Sequence, residues 1–355
     1  MQSEITSIAE IQQLVIDNAA NWQAYDWKQH GDVYLDVSGD LLLFNYTQAA
    51  QYEARWNFFE RVSRGLIIHR STGEVVARAF DKFFNWGERG LTSNAPIRTI
   101  TEKMDGSLGI LYRDNDGYKI STRGSFTSDQ ALWATEFLNR NHPLPNLPTA
   151  WTLLFEIVYP ENRIVVDYAG RQALILLAIR NRLDGSYLDF SQVETVATQY
   201  GFATPRTFRF ASLAEIVAAQ KELDANHEGW VVEFGDGQRF KFKGERYSEL
   251  HRLITGLSFK FALELVVSGT TEQARSMLPE EYLPLFDGWV AEINAKTQAI
   301  IAQAQAVFAQ APKSSRKEFA LWVQANHKPL ASYLFLLLDG RDILPLVYKL
   351  AFEER

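Results

Sequence analysis

The chain has 355 residues, 46% hydrophobic and 22% charged, which suffices for two hydrophobic cores and excludes a disordered or fibrous protein. With 36 Lys and Arg against 43 Asp and Glu the net charge is −7, which excludes nucleic-acid binding through bulk charge and directs attention to local clusters of cations. Having no cysteine, the chain has no disulfides, thiolate catalysis or Cys-ligated metal centres, and its six histidines show no metal-ligand spacing.

The opening stretch, SEITSIAEIQQLVIDNAANW, sets polar capping residues before Ile8, Ile11, Leu14 and Val15 at helical spacing, which predicts a first helix. It lacks the basic-then-apolar layout of a signal peptide. No run approaches the roughly 18–20 apolar residues of a membrane span. A cytoplasmic protein with no membrane partner is expected. Hairpins follow at VYLDVSGDLLLF, GLIIHRSTGEVVARAF, LGILYRDNDGYKISTRGSF and EGWVVEFGDGQRFKFKG, each turning on a Gly-containing tetrad or triad. WTLLFEIVY, RIVVDY and ALILLAIRN read as further strands, and SLAEIVAAQKEL as a helix. Residues 1–250 are thus expected to form an α+β domain on antiparallel sheet.

From about His251 the strand signals vanish. WVAEINAKTQAIIAQAQAVFAQA places Trp289, Ile293, Ile300 and Val307 on one stripe and stops before Pro312. Ser315 with Glu318 opens another helix, and YLFLLLDGRDILPLVYKLAF supplies two more, broken at Asp339–Gly340. Residues 251–355 are expected to form an all-α domain, and neither a repeat nor a low-complexity linker separates the two.

Three stretches and one further glutamate carry candidate chemistry. In QRFKFKGERY, strand alternation sends Arg239, Lys241 and Lys243 to one face and Phe240 and Phe242 to the other. Three neighbouring cations suit an anion such as phosphate, or equally a solvated edge strand protected by charge. In WTLLFEIVYP, Glu156 shares an apolar face with Leu154 and Val158, so its carboxylate must be paired, hydrogen-bonded or metal-associated. Glu228 precedes a glycine at a strand entrance, which also fits a turn.

The third is TEKMDGSLGILY, where Lys103 stands between Glu102 and an Asp105–Gly106 turn. A lysine there is a phosphate clamp, a surface charge or a nucleophile. A nucleophile must shed its proton, and bringing its pKa from about 10.4 to near neutrality amounts to roughly 4 kcal/mol. Lys241, Lys243 and a bound metal would favour the neutral amine, while Glu102 and Asp105 would oppose it. Gly106 would let the backbone turn close to a ligand.

Taken in order, EKMDGSL, LLFEIVYP, EGWVV and FKFKGERY resemble the signature elements of covalent nucleotidyltransferases, the superfamily of ATP-dependent DNA and RNA ligases and mRNA capping enzymes. FNYTQAAQYEARWNFFERVSRGLIIH, FDKFFNWGE, STRGSF and PENRIVVDY look like the phage RNA ligase 1 family, whose members reseal broken RNA, notably cleaved tRNA. The likeness spans roughly residues 40–251. It implies an antiparallel-sheet adenylyltransferase domain and a helical domain that adds RNA specificity. It also implies attack of Lys103 on the α-phosphorus of ATP, AMP transfer to an RNA 5′-phosphate, and displacement of AMP by a 3′-hydroxyl.

Residue matching implies that Arg64 and Lys82 hold the triphosphate, with Tyr46 and Phe84 shaping the pocket and Arg123 standing where the family usually has lysine. Glu102, Lys103 and Gly106 would line the nucleotide site; Lys241 and Lys243 would clamp the α-phosphate, with Tyr247 completing that edge. Glu156 would meet the ribose or metal-bound waters, Glu228 would assist the metal, and Glu272 would lie toward a second metal. The implied cofactors are ATP and Mg²⁺ or Mn²⁺. The implied partner is RNA bearing 5′-phosphate and 3′-hydroxyl ends, such as cleaved tRNA or a stem-loop, acted on by a monomer. Lys313, Arg316 and Lys317 are further candidate phosphate contacts, or a solvated helix start. A DNA ligase, a capping enzyme and a non-catalytic RNA-binding relative are the alternatives. DNA ligases normally end in a β-barrel, which the helical C-terminal composition does not match. No P-loop of the kinase type occurs.

Overall fold

Glycines in the left-handed region close the predicted hairpins: Gly39, Gly117 and Gly237 have φ of 58°, 127° and 80°. The computed structural model describes residues 4–53, 56–145, 147–279 and 282–352. Residues 54–55, inside the motif that precedes Arg64, lie outside the described residues. The chain divides into two units, Met1–Ser248 and Glu249–Arg355.

In the first unit the strands run in chain order as β1 (Val33–Ser38), β2 (Leu41–Tyr46), β3 (Arg64–His69), β4 (Val75–Ala77), β5 (Phe84–Asn85), β6 (Ile97–Glu102), β7 (Ser107–Asp114), β8 (Gly117–Thr122), β9 (Trp151–Val158), β10 (Ala173–Asn181), β11 (Gly229–Phe234) and β12 (Arg239–Lys243). They build three four-stranded sheets with orders β1-β2-β3-β4, β10-β9-β7-β8 and β5-β12-β11-β6. Among the described residues every pairing between these strands is antiparallel except the short β5–β12 contact.

Alternation decides what each face does. Leu42 and Phe44 of β2 pack toward the first helix, Ile8–Asp17, through its buried Ile11 and Val15. Leu41 and Leu43 turn the other way, onto Ile110 and Leu154 of the second sheet. The second sheet is covered on its far side by the helices Asp129–Asn141 and Phe190–Tyr200. In the third sheet, Ile100, Trp230, Val232, Phe240 and Phe242 bury one face against Ile216 of the helix Leu213–Glu222. Its other face is the polar one, and it carries the site.

One expected strand is absent. Residues 163–168, RIVVDY, follow a short 3₁₀ turn and join no sheet. Their backbone donors are used elsewhere: the N–H groups of Val165 and Val166 both donate to Asp105 Oδ2, at 2.9 and 2.8 Å.

In the second unit every regular element among the described residues is a helix. Its longest helix, Leu283–Gln310, buries Phe286, Ile293, Thr297 and Ala304. The predicted stripe is therefore rotated, with Trp289, Ile300 and Val307 half-buried at its margin. The helix ends before Pro312, and Ser315 caps the next one, Arg316–Asn326, by accepting from the Glu318 N–H. Asp339 and Gly340 separate Ala331–Leu338 from Leu344–Ala351. Among the described residues no helix is long and apolar enough to cross a membrane.

Candidate active site

Lys103 lies where the chain crosses from the third sheet to the second. β6 ends at Glu102, β7 begins at Ser107, and the four residues between pin the joint. The Lys103 N–H donates to Gly229 O at 2.8 Å, which extends the β6–β11 ladder by one residue. Asp105 then ties the crossing down: besides Val165 and Val166, its carboxylate accepts the Tyr247 hydroxyl at 2.7 Å, and its N–H donates to Tyr168 Oη at 2.8 Å. Gly106 is required by packing, because a Cβ there would lie 2.5 Å from Ile157 O and 3.1 Å from Glu156 Cγ. Packing against β9 is thus a second reason for glycine here, beside the close approach to a ligand expected from the sequence. Gly106 does line the cavity, and its nearest neighbour is β9.

A cavity of about 590 Å³ opens between the sheets beside Lys103. Arg64, Glu102, Lys103, Gly106, Arg123, Glu156 and Lys241, all predicted, line it. Tyr46, Lys82 and Phe84 stand behind Arg64 and Arg123. The Arg123 guanidinium donates to Tyr46 Oη at 2.5 Å, and Lys82 Nζ lies 5.5, 4.7 and 5.6 Å from the ring centres of Tyr46, Trp56 and Phe84. Glu228, Lys243 and Tyr247 stand behind Lys103. Glu272 belongs to the other unit, where it is exposed in the first turn of Thr271–Met277.

The ion pairs differ from the expected clamp. Glu228 is buried and uses both oxygens, Oε2 at 2.8 Å from Lys103 Nζ and Oε1 at 2.8 Å from Lys243 Nζ. Arg239, Lys241 and Lys243 do share a strand face but not an anion: Arg239 pairs with Glu233 at 2.7 Å and lies 3.8 Å from the Tyr187 ring centre. Lys241 has no carboxylate at ion-pair distance among the described residues and rests 4.8 Å from the Phe83 ring centre. Glu102 is held by a two-pronged pair with Arg206, at 2.9 and 3.0 Å.

The protonation pattern overturns one expectation. Burial opposes the charge on Lys103, but Glu228, then Glu156 and Asp105, outweigh it and hold the amine's pKa above its ordinary value. The resting Lys103 is an ammonium, not the neutral amine expected from crowding by Lys241 and Lys243. The amine pushed well below its usual range is Lys241, by burial and then by Arg64, Lys103, Lys82 and Lys243. Burial raises Glu156 to about 7 against the pull of Lys103, with Glu228 and Asp105 adding repulsion. Glu228 is held low because Lys103 and Lys243 outweigh its burial. Burial would raise Tyr46, yet Arg123, Arg64 and Lys82 bring it down. Tyr247 is pushed up by burial and by Glu228 and Asp105, so its hydroxyl stays a donor to Asp105 and serves the backbone, not the cavity.

Two features bear on the cofactors. Arg64 lines a cavity already rich in cations, and its buried Nη1 has no hydrogen-bond partner. Among the described residues no three carboxylate or imidazole groups converge on a metal position. Glu156, half-ionised near neutrality, suits a Mg²⁺ or Mn²⁺ that keeps most of its water; Glu228, with both oxygens engaged, does not fit the metal role expected of it.

An α+β unit with a lysine fixed at the mouth of such a cavity is the arrangement that the sequence motifs lead one to expect of a nucleotidyltransferase. Residues 62–247, more than half of the chain, match the RNA ligase family, and the chain belongs to that family. An Autographa californica nuclear polyhedrosis virus protein, provisionally named a bifunctional polynucleotide kinase/RNA ligase, is 29% identical over 66% of this chain and 38% of its own length. A Thermovibrio ammonificans protein, provisionally named RNA ligase, is 30% identical over 56% of this chain and 55% of its own. The RNA ligase of Rhodothermus phage RM378 is 22% identical over 86% of both chains. The chain thus spans 38% and 55% of the length of the first two relatives.

Proposed function

We propose that the chain is an ATP-dependent RNA ligase joining 3′-hydroxyl and 5′-phosphate ends. The supporting observation is the meeting of Lys103 with Arg64, Arg123 and Lys241 around one cavity, in which Arg64 Nη1 lacks a partner. Lys103 Nζ attacks the α-phosphorus of ATP, the bond to the β-phosphate oxygen breaks, and pyrophosphate leaves with AMP held as a phosphoramidate. An RNA 5′-phosphate oxygen then takes the AMP and releases Lys103, and a 3′-hydroxyl displaces AMP to form the phosphodiester.

The chain's own groups account for the charge. Arg64, Arg123 and Lys82 take the β and γ phosphates, and Lys241 takes the α-phosphate, where charge grows in the transition state. Glu228 holds Lys103 as an ammonium until one proton passes to water and frees the lone pair for attack, and Lys243 competes for the same carboxylate. Glu156 would meet a Mg²⁺ or Mn²⁺ through its water shell, and such an ion would further neutralise phosphate charge. The helical unit is assigned RNA recognition, toward cleaved tRNA or a stem-loop. There Arg316 pairs with Asp339 and Lys313 Nζ lies 4.5 Å from the Phe308 ring centre, which leaves Lys317 as the more available phosphate contact.

The test is incubation with α-phosphate-labelled ATP and Mg²⁺. An acid-stable labelled protein is expected from wild type and none from Lys103→Ala. Labelling by GTP and not ATP would instead make the chain a capping enzyme. Absence of any adduct from wild type would end the proposal. Joining assays over nicked stem-loops and linear strands then assign the RNA.

A further inference from the structure

Asn45 is the cross-strand partner of Arg64 in the β2–β3 ladder, beside a β-bulge, and both side chains line the cavity. Its side chain is 2% exposed. One end of the amide is satisfied, with Nδ2 2.7 Å from Tyr34 Oη, and the other end, Oδ1, is buried with no partner. Two cross-strand neighbours in one cavity wall thus each carry a buried, unpartnered polar atom. Such atoms are uncommon in native interiors, where an ordered water, an ion or a ligand completes them, and among the seven in the described residues these two are paired across one ladder at the cavity.

The wall is shaped to keep this pair in place. A Cβ on Gly124 would lie 2.2 Å from Tyr34 Oη and 2.7 Å from Asn45 Nδ2, so any larger residue there would displace the ends of both side chains. Tyr34 is a rim residue whose hydroxyl both donates and accepts, so it satisfies either end of the Asn45 amide. With the amide turned end for end, Tyr34 donates to Oδ1 and the free end becomes an N–H donor. Beside the Arg64 and Arg123 guanidiniums, an arriving anion selects that second orientation.

Resting on the ligase reading above, we infer that Asn45, held by Tyr34, is a binding residue for the pyrophosphate portion of the nucleotide. It adds a neutral, orientable donor to the guanidinium of Arg64. A neutral donor fits here because a further cation would add to the repulsion already present, whereas an amide adds a hydrogen bond at no charge cost.

The experiment follows release and return of pyrophosphate in full-length protein. Wild type is labelled with α-phosphate-labelled ATP, freed of nucleotide, and discharged with inorganic pyrophosphate. Asn45→Ala is expected to raise the half-saturating pyrophosphate concentration and the KM for ATP by roughly tenfold, the scale of one hydrogen bond to a charged group, with maximal rates within about twofold. Tyr34→Phe, which removes the hydroxyl that orients the amide, is expected to give a smaller shift in the same two quantities. Retained folding is checked by denaturant unfolding.

An unchanged pyrophosphate dependence in Asn45→Ala overturns the inference. So does a fall in maximal rates without a change in half-saturation, or a selective loss of AMP transfer to RNA 5′-phosphate. If wild type forms no adduct, it is the ligase reading that has failed. Calorimetric titration with inorganic pyrophosphate then tests the subsite by itself: weaker binding by Asn45→Ala supports it, and equal binding overturns it.

Discussion

Lys103 Nζ stands 2.8 Å from Glu228 Oε2, and the other oxygen of the same carboxylate stands 2.8 Å from Lys243. One buried anion is therefore shared by the nucleophile and a second amine, and whatever weakens its hold on Lys103 eases the loss of that proton. Because Glu228 is the strongest group holding the Lys103 pKa up, Glu228→Gln should move the rising limb of the lysyl-adenylation pH profile, where the amine loses its proton, to lower pH. Lys243→Ala leaves Glu228 wholly to Lys103 and should move that limb to higher pH. Single-turnover labelling across pH checks both. Shifts in the same direction would show that the sharing does not control the amine.

Glu156 gives a pH dependence of stability with a definite sign. Its folded pKa of about 7 exceeds the ordinary carboxylate value, so between those values the folded state binds more protons than the unfolded one. Stability is consequently lost as pH rises through that window. The shift corresponds to roughly 3 kcal/mol at pH 8. Glu156→Gln should remove this loss, so the stability difference between variant and wild type should grow from about pH 4.5 upward and level off above pH 8. Denaturant unfolding at matched pH values measures it, and a difference independent of pH would contradict the assignment.

Tyr247 and Asp105 should report on architecture more than on nucleotide affinity. Tyr247→Phe leaves one Asp105 oxygen short of a donor and should cost about 1–3 kcal/mol. Asp105→Ala frees the hydrogens of Tyr247, Val165 and Val166 together and should cost more. Unfolding free energies test the ranking. A Tyr247→Phe protein with unchanged stability and a raised KM for ATP would return Tyr247 to the binding site.

Two glycines should resist substitution and a third should not. Gly229→Ala combines a φ of +128° with a Cβ 1.9 Å from Phe242 O, and Gly106→Ala puts its Cβ 2.5 Å from Ile157 O. In Gly235→Ala the nearest atom is Pro96 O at 3.5 Å, an ordinary contact. Expected losses are greatest for Gly229, intermediate for Gly106 at about 1–3 kcal/mol, and small for Gly235. Equal unfolding midpoints in denaturant for Gly106→Ala and Gly235→Ala would refute the packing argument.

The hairpins were legible because their turns need residues that tolerate positive φ, and Gly39, Gly117 and Gly237 stand where the strands reverse. The faces of β12 were legible because strand period is two, and Phe240 and Phe242 are buried while Lys241 and Lys243 are not fully so. Residues 163–168 were misread for a reason no local pattern encodes: their β-branched run is apolar, but its donors belong to a carboxylate some 60 positions earlier. The helix Asp129–Asn141 was passed over although Ser128 caps it by accepting from the Ala131 N–H, a signal available in SDQALWATEF. The charge state of Lys103 was beyond reach because nearness to Lys241 and to Glu228 are both allowed by sequence, and only distance decides which prevails. Asn45 and Tyr34 gave no signal, since an asparagine in an apolar strand looks like a satisfied core amide until its second atom is found open.

The cations around the cavity come from three separate sheets: Arg64 opens β3, Arg123 directly follows β8, and Lys241 lies in β12. None of the three sheets alone can assemble this pocket, and in the assembled unit these groups repel one another. An anion that fills the pocket relieves that tension in the native state and finds no equivalent in an unfolded chain, so occupancy and folding are thermodynamically coupled. Heating scans at rising pyrophosphate should push the melting temperature steadily upward, making the ligand a gauge of whether the three layers have come together.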